Sequence, residues 1–510
     1  MVLEKLEPKI VWYIFEEIVA KTPRRSKKED KIRNKIKTWL IEQAELKRLE
    51  INISEDSVGN ILVKKSATIG LESVPPLLLQ AHLDMVCETD RPEGFNFDEN
   101  GIPIRIQDNG EWIDADGTTL GADDGIGVAL ALAILIDNEK VTSHGPLEVL
   151  FTVNEEDGFT GATNLDVKTL DIKSNYLINL DSGPIEKITI GSVCGRRTYF
   201  RKEFEWLKQD TLKNLLFIEL SINGLLGGHS GGDIHLPRAN ANKLISRILS
   251  NISQHMEFYL CRWNGGTVSN VITRNAEIKF AINSKDEEIF KNLIYDEIAI
   301  IYDYYKASRE GFPILEPDIN ITWKKGTPER FLSAEDTKLI ISTTSLFPQG
   351  VLRYSPFYEN FPESSNNFAI VWTKDNKIII RLYPRSIIRS ELNSFVQSMV
   401  QLGALGGWEM ELRDILPEWT PQPESKFLKY TKKQYESILQ RPVKTSIVHG
   451  GLETGRISQK IPGIQMISIG PTVEGEHTPN EKLKIADVGI IYEILIKILL
   501  NFSELENYNS

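Results

Sequence analysis

The stretch Pro75-Pro76-Leu77-Leu78-Leu79-Gln80-Ala81-His82-Leu83-Asp84 constrains this chain more than any other. An unbroken apolar run of this kind suits a strand covered on both faces, as in the parallel sheets of α/β folds. Side chains alternate along a strand, so His82 and Asp84 share one face and Leu83 takes the other. A histidine and a carboxylate therefore meet where a core strand ends. In open α/β sheets, ligands gather outside the carboxyl ends of the strands. Taken alone, the same three residues also describe a buried histidine with an acidic partner.

The pattern recurs twice. Residues 147–158 (LEVLFTVNEEDG) read as a second buried strand, running to Glu155-Glu156-Asp157 before Gly158. Residues 176–183 (YLINLDSG) read as a third, ending in Asp181. Three consecutive carboxylates repel one another unless a cation meets them or the segment is a solvated loop tip. Between the first two strands, TTLGADDGIG leads into the apolar run VALALAILI, a glycine-rich turn opening a buried helix with Asp123 and Asp124 at its start. A phosphate loop is excluded: no Lys-Ser/Thr follows the glycines, and two aspartates repel phosphate. Helix capping is the competing reading of those acids. With His477 near the far end of the chain, the candidates are His82, Asp84, Asp123, Glu155, Glu156, Asp181 and His477. Two histidines among several carboxylates suit two zinc ions or other borderline divalent metals. Such a pair is served by one bridging carboxylate, a bridging water as nucleophile and a nearby general base.

At 510 residues the chain exceeds one ordinary core, so two or more domains are expected. Residues 1–50 read as two amphipathic helices, 50–64 as a strand pair turning at Gly59-Asn60, and 88–117 as a long polar loop with a hairpin around Asn109-Gly110. From about residue 196 the texture changes. Alternating segments (FIELSI, GTVSNVI, AEIKFAI) mix with amphipathic helices over 239–252 and 285–305, the pattern of an α+β domain with an antiparallel sheet. It contains His229 between glycine pairs, on an exposed and permissive loop. The first texture returns near residue 400, with a glycine-rich loop at His449-Gly450-Gly451 and a last helix over 485–500. The organisation read from sequence is a first part of one domain over 1–195, an inserted domain over 196–400 and the second part over 401–510. The fold class is α/β, with a mostly parallel central sheet flanked by helices plus the α+β insert.

The net charge of −12, without a basic tract dense in aromatics, argues against nucleic acid and anionic membrane as partners. The basic run between Lys21 and Lys37 is interrupted by Glu29 and Asp30 and reads as a solvated helix face. Cys87, Cys194 and Cys261 are scattered and odd in number, which points to a reducing compartment. The first residues carry acids throughout and lack a signal-peptide core, so a cytoplasmic location is expected. His144, His235 and His255 are expected on loops or at the surface, without a role.

The pieces QAHLDMV, TTLGADDGIG, VNEEDGFTGA, NLDS, GGHSGGDIH with PRANANKLI, SNVITRNA, HGGLETG and GEHTPNE span nearly the whole chain. Together they resemble the aminoacyl-histidine dipeptidases (Xaa-His or cytosol non-specific dipeptidases). These belong to the co-catalytic zinc peptidase superfamily that includes carboxypeptidase G and aminoacylase 1. The resemblance implies two Zn2+ per chain, with Co2+ or Mn2+ able to stand in for them in vitro. His82 and Asp181 would hold one metal, Glu156 and His477 the other, with Asp123 as the bridge. Asp84 would orient His82, and Glu155 would be the general base that activates the bridging water. His229 would stabilise the oxyanion, as it does across a dimer in relatives. Asn270 and Arg385 would hold the substrate carboxylate, Arg381 and Arg389 being the other arginines that fit that position, and the Gly450-Gly451 loop would line the pocket.

The implied activity is hydrolysis of unblocked dipeptides, including those ending in histidine. A tripeptidase, an N-acyl amino acid deacylase or a carboxypeptidase on the same site stays open. A non-catalytic relative would have lost Glu155 or a ligand, and this chain has lost neither. The implied partners are short peptides and a second copy of the chain, bound through the insert as lid and dimerisation domain. The chain departs from the family pattern at Asp124 (usually Asn), Thr273 (usually Pro) and Gly450 (commonly Ala). None of these removes a ligand.

Overall fold

The computed structural model describes residues 1–508, folded as two compact units. The first comprises Met1–Ser192, Trp419–Ile447 and the chain from Leu452 on. Its eight-stranded sheet runs, edge to edge, Ile51–Glu55, Ile61–Lys65, Leu147–Thr152, Leu77–His82, Tyr176–Asn179, Gln465–Ser468, Lys187–Ser192 and Lys444–Val448. The strands Leu147–Thr152, Leu77–His82, Tyr176–Asn179 and Gln465–Ser468 are parallel neighbours, and antiparallel strands extend the sheet beyond them. Every residue of Leu77–His82, Leu147–Thr152 and Tyr176–Asn179 is buried, as their unbroken apolar runs require. The helix Ala122–Ile136, apolar all round, packs on Leu77–His82, and Ile485–Leu500 packs against Lys426–Leu439.

Parallel pairing sets His82 opposite Thr152 and Gln80 opposite Asn179, so the three strand ends finish together. The second and third strands stop earlier than their sequences suggest. Leu147–Thr152 ends ahead of Asn154, which adopts the left-handed region (φ +52) and donates from Nδ2 to Asp157 O (2.9 Å) and Thr160 Oγ1 (2.7 Å). The turn built by these bonds carries Glu155 and Glu156 just past the strand end. Tyr176–Asn179 likewise stops short of Asp181.

One expectation fails in this unit, and another is met only in part, since His144 lies on a loop but not at the surface. The basic run is not one solvated face: the helix is Asp30–Lys47, and Arg24, ahead of it, is buried. His144 is buried as well, its Nδ1 2.7 Å from Gly145 O.

At the last residues of three parallel strands, and at Gln80 two residues before the end of the fourth, a row of buried polar side chains crosses the sheet. Ser468 Oγ donates to Asn179 Oδ1, Asn179 Nδ2 to Gln80 Oε1 (2.7 Å), and Gln80 Nε2 to Thr152 Oγ1 (3.0 Å) and Glu453 Oε2 (2.8 Å). Thr152 Oγ1 also donates to Glu453 Oε2 (2.5 Å). A row of this kind is stabilising only while every member is paired.

The second unit comprises Val193–Glu418 and Val448–Gly451. It is built on a ten-stranded antiparallel sheet in the order Asn320–Lys325, Leu215–Asn223, Ala276–Asn283, Phe258–Gly265, Pro362–Lys374, Lys377–Ser386, Thr198–Glu203, Glu409–Leu412, with Gly350–Tyr354 and Cys194–Gly195 alongside. Ala241–Ile252, Glu287–Tyr305 and Ala334–Leu346 contribute to its core, which includes Phe200, Trp263, Phe280, Phe290 and Phe347. The unit runs on to Glu418, past residue 400, because Glu409–Leu412 pairs with Thr198–Glu203. Residues 266–272 form a turn where a strand was expected. Phe258–Gly265 ends at Gly266 (φ +79), and Asn367 Nδ2 donates to Ser269 O (2.9 Å) and Val271 O (2.8 Å), pulling the chain out of the ladder. Among the described residues, no helix is long and apolar enough to cross a membrane.

The polar row yields a stability prediction. Gln80→Leu keeps the volume but strands Asn179 Nδ2 and one donor partner of Glu453. Unfolding in urea should show a loss of ~1–3 kcal/mol for each buried group left unpaired. An unchanged midpoint would mean that the row contributes nothing.

Candidate metal centre

The ends of the three buried strands bring His82, Glu155, Glu156 and Asp181 together in the first unit, and the start of the helix Ala122–Ile136 and a loop add Asp123 and His477. Asp123 is central. Its Oδ1 lies 3.1 Å from His82 Nε2, and its Oδ2 lies 3.2 Å from His477 Nε2. On the first side, His82 Nε2 is also 3.9 Å from Asp181 Oδ1. On the second, His477 Nε2 is 3.0 Å from Glu156 Oε2. The two triads His82–Asp123–Asp181 and Asp123–Glu156–His477 each converge their ligand atoms within 4.8 Å of one another, and Asp123 belongs to both.

Asp84 lies behind His82, its Oδ1 3.4 Å from Nδ1. This fully buried carboxylate accepts hydrogen bonds from the backbone N–H of Glu155 (2.9 Å) and Glu156 (3.1 Å) and from Ser26 Oγ (2.7 Å). One side chain thus sets the ring of His82 and the turn that carries the next two acids. Arg24 donates to the carbonyls of Leu83 (3.0 Å), Asp84 (2.7 Å) and Gly121. Glu481 accepts from the N–H groups of Leu120 (2.9 Å), Gly121 (2.8 Å) and Asp123 (3.2 Å). Asp124 Oδ2 accepts from the backbone N–H of His82 (3.1 Å). His477 enters from the far end of the chain through a small sheet, Val473–Glu474, Lys482–Lys484, Trp112–Ala115 and Ile104–Ile106. Its strand Lys482–Lys484 pairs with the one just before the Asp123 loop. Sequence reasoning missed Arg24, Ser26, Glu481 and Glu453. Glu481 and Glu453 each lie inside one of the quoted motifs, GEHTPNE and HGGLETG, four residues after a histidine, and that placement is the signal the sequence offers for them.

The electrostatics say what the pocket can hold. Burial pushes the carboxyl of Glu155 well up, and the neighbouring Glu156 adds to it. Burial and Asp123 do the same to Asp181, and Glu156 is raised too. Burial opposes charge on both histidines, yet the carboxylates win. Hydrogen bonds to Asp123 and Asp84 raise His82, and those to Asp123 and Glu156 raise His477 to about 11. Burial also works against ionised Asp123, but its bonds to His477 and His82 hold it low. Positive charge is therefore demanded at the two points where Asp123 meets a histidine, and a divalent cation meets that demand better than a proton. Imidazole and carboxylate donors, with no thiolate among them, suit zinc and its borderline neighbours.

The second unit gathers the remaining candidates. His229 is exposed, and its Nδ1 accepts from Gly232 N–H (3.2 Å), which leaves the ring proton of the neutral imidazole on Nε2. Ser230 N–H donates to Asn270 O (2.7 Å), and Arg385 Nη1 donates to Ser230 Oγ (2.7 Å). Arg385 is buried and stacked 4.2 Å from the centroid of Tyr383, and no carboxylate pairs with it among the described residues. Burial and Arg197 pull its pKa down. The alternatives are otherwise engaged: Arg389 is bonded to Glu418, and Arg381 lies between the rings of Tyr199 and Trp372. A Cβ on Gly451 would overlap Leu416, so the chain there needs glycine. His449 is buried, with Nε2 2.7 Å from Ser365 Oγ, and burial together with Arg385 lowers its pKa to about 3.

Known proteins resemble this chain in sequence and in fold. The chain is 33% identical over 497 residues to the cytosol non-specific dipeptidase of Escherichia coli (strain K12), covering 98% of each. The structure of the aminoacylhistidine dipeptidase from Vibrio alginolyticus superposes with a TM-score of 0.81 at 30% identity, covering 100% of this chain and 98% of that one. A more distant fold likeness is the aminopeptidase PepT from Bacillus cereus, with a TM-score of 0.53 at 17% identity over 98% of this chain and 99% of that one. The defining pattern of Peptidase family M20/M25/M40 matches residues 78–501, and the chain belongs to that family of metal-dependent peptide hydrolases.

Proposed function

We propose that this chain is a dinuclear metallopeptidase, with zinc as the natural metal, that hydrolyses unblocked dipeptides, including those ending in histidine. The observation that supports two metals is Asp123, whose two oxygens each face a different histidine and a different second carboxylate. The dipeptide substrate class rests on the relatives, two of which are named as dipeptidases.

His82, Asp123 and Asp181 would hold one ion, and Asp123, Glu156 and His477 the other. When bound, the metals supply Lewis acidity that polarises the scissile carbonyl and makes water acidic. Glu155 is not needed as a ligand in either triad. It sits at the strand end with its backbone pinned by Asp84, in a buried place that raises its proton affinity. It is suited to take the proton of the attacking water and pass it to the leaving amine. His229 would offer a ring N–H to a developing oxyanion. Arg385, a buried guanidinium without an acidic partner, is suited to the free carboxylate of the substrate, with Asn270 beside it. The exposure of His229 is in keeping with service to a partner's site in a homodimer formed through the second unit.

Glu155→Gln should retain its metal and lose about 10²–10⁴-fold in kcat, because a carboxamide cannot accept the water's proton. Glu156→Gln should instead weaken one metal. Wild-type rates in both variants would reject these roles. Amidating the dipeptide C-terminus should cost roughly 2–5 kcal/mol in kcat/KM, the range for truncating one partner of a buried charged pair. Arg385→Lys should impair dipeptide cleavage at unchanged metal content, since an ammonium cannot reproduce the paired guanidinium bonds. Dipeptide amides cleaved as fast as the acids would remove Arg385 from substrate binding. Finally, mixing inactive His229→Ala and Glu155→Gln proteins should restore activity in mixed dimers. No recovery despite demonstrated subunit exchange would place His229 in its own chain's site.

A further inference from the structure

The donors of the two triads are held in place by different means. His82 closes a buried strand and Asp181 follows another by two residues. Glu156 is fixed through its backbone N–H to Asp84. Asp123, at the start of the helix Ala122–Ile136, has a non-helical backbone (φ −78, ψ 108), and His477 lies on a loop, so neither is set by the sheet. His477 is 53% exposed and sits in the left-handed region (φ +64), which a residue with a Cβ adopts when its surroundings impose it.

One side chain reaches both segments. Glu481, buried and four residues beyond His477, accepts the N–H groups of Leu120 and Gly121 on Oε2 and that of Asp123 on Oε1. The next residues, Lys482–Lys484, pair with Val473–Glu474 and Trp112–Ala115, so the strand anchors the hairpin that carries His477, and Glu481, at the root of its turn, ties that turn to the segment 120–123. Arg24 holds the other side of the same peptide by donating to Gly121 O.

We infer that Glu481 is the positioning residue that makes Asp123–Glu156–His477 a metal site, and that without it the two-metal centre becomes a one-metal centre. The inference rests on the two-site reading above. In the His82 triad, two of the three donors are set by the sheet. In the His477 triad, two of the three donors hang on the segments that Glu481 clasps. Loss of Glu481 therefore falls unequally on the two sites. A protein in which Glu481 only braced the fold would lose affinity at both sites alike.

The test uses the full chain, stripped of metal and titrated with zinc against a chromophoric chelator. Cobalt(II) is followed in parallel by absorption and by electron paramagnetic resonance for spin coupling. Glu481→Gln keeps the shape, but its amide NH2 turns a donor toward backbone donors. Wild type should take up two equivalents. Glu481→Gln should bind the first near wild-type affinity, bind the second at least ~10-fold more weakly, as for other groups that orient ligands, and show uncoupled cobalt. Fewer than two equivalents in wild type would overturn the two-site reading itself. Two equivalents in wild type, with the variant either unchanged or weakened equally at both, would overturn the role of Glu481 alone. Should Glu481→Gln fail to fold, Glu481→Asp keeps the charge but is too short to span both segments, and the same outcomes decide.

Discussion

Asp84 is a carboxylate with no exposure to water and, among the described residues, no lysine or arginine side chain bonded to it, a situation that is costly unless donors surround it. Its donors are the N–H groups of Glu155 and Glu156 and the hydroxyl of Ser26, and the ring of His82 lies alongside with Nδ1 3.4 Å from Oδ1. The need to satisfy this one acid is what locks the turn after Leu147–Thr152 to the end of Leu77–His82. It also sorts the acids of the pocket into two kinds. Asp84 and Asp123 are met by donors and stay ionised, whereas Glu155 and Asp181 are left to burial and to each other's repulsion. The unsatisfied acids, Glu155 and Asp181, are gathered around His82, so the fold leaves uncompensated carboxylates where a cation can relieve them.

Much of this was legible in the sequence because it depends on short-range rules. Alternation placed His82 and Asp84 on one face, and unbroken apolar runs marked the strands whose ends align. The last helix and the helix after the glycine turn followed from apolar content. What escaped was of another kind. Arg24 sits among lysines and acids and looks solvated, yet its bonds go to three carbonyls remote in sequence. Glu481 serves backbone N–H groups some 360 positions away. Side chains that satisfy distant backbone leave no periodic trace. The strand ends were placed too far along because Asn154 takes a left-handed conformation, for which asparagine is only a weak signal.

The two units carry opposite kinds of incompleteness. The first collects carboxylates that call for cations. The second buries a guanidinium with no carboxylate paired to it among the described residues; burial and Arg197 work against its charge, and Tyr383 supports it. A buried arginine stacked on Tyr383 and tied to Ser230 is held in one orientation, and it can gain from an incoming carboxylate without further ordering. His449 next to it stays neutral, so it adds no second positive charge to the cluster.

Asp124 shows how a departure from the family pattern can leave the geometry whole. The N–H of His82 needs an acceptor at this position, and one oxygen of Asp124 provides it as the oxygen of an asparagine would. The other oxygen faces Gly127, where a Cβ would overlap it, so the glycine makes room for the planar end of this side chain. Aspartate and asparagine are the same size in that slot. The exchange leaves intact the bond that seats the backbone of His82, and with it the strand end on which both triads are assembled. The constraint at this position is therefore one of shape and acceptance, which explains how the residue beside the shared ligand can differ while every donor of the two triads is retained.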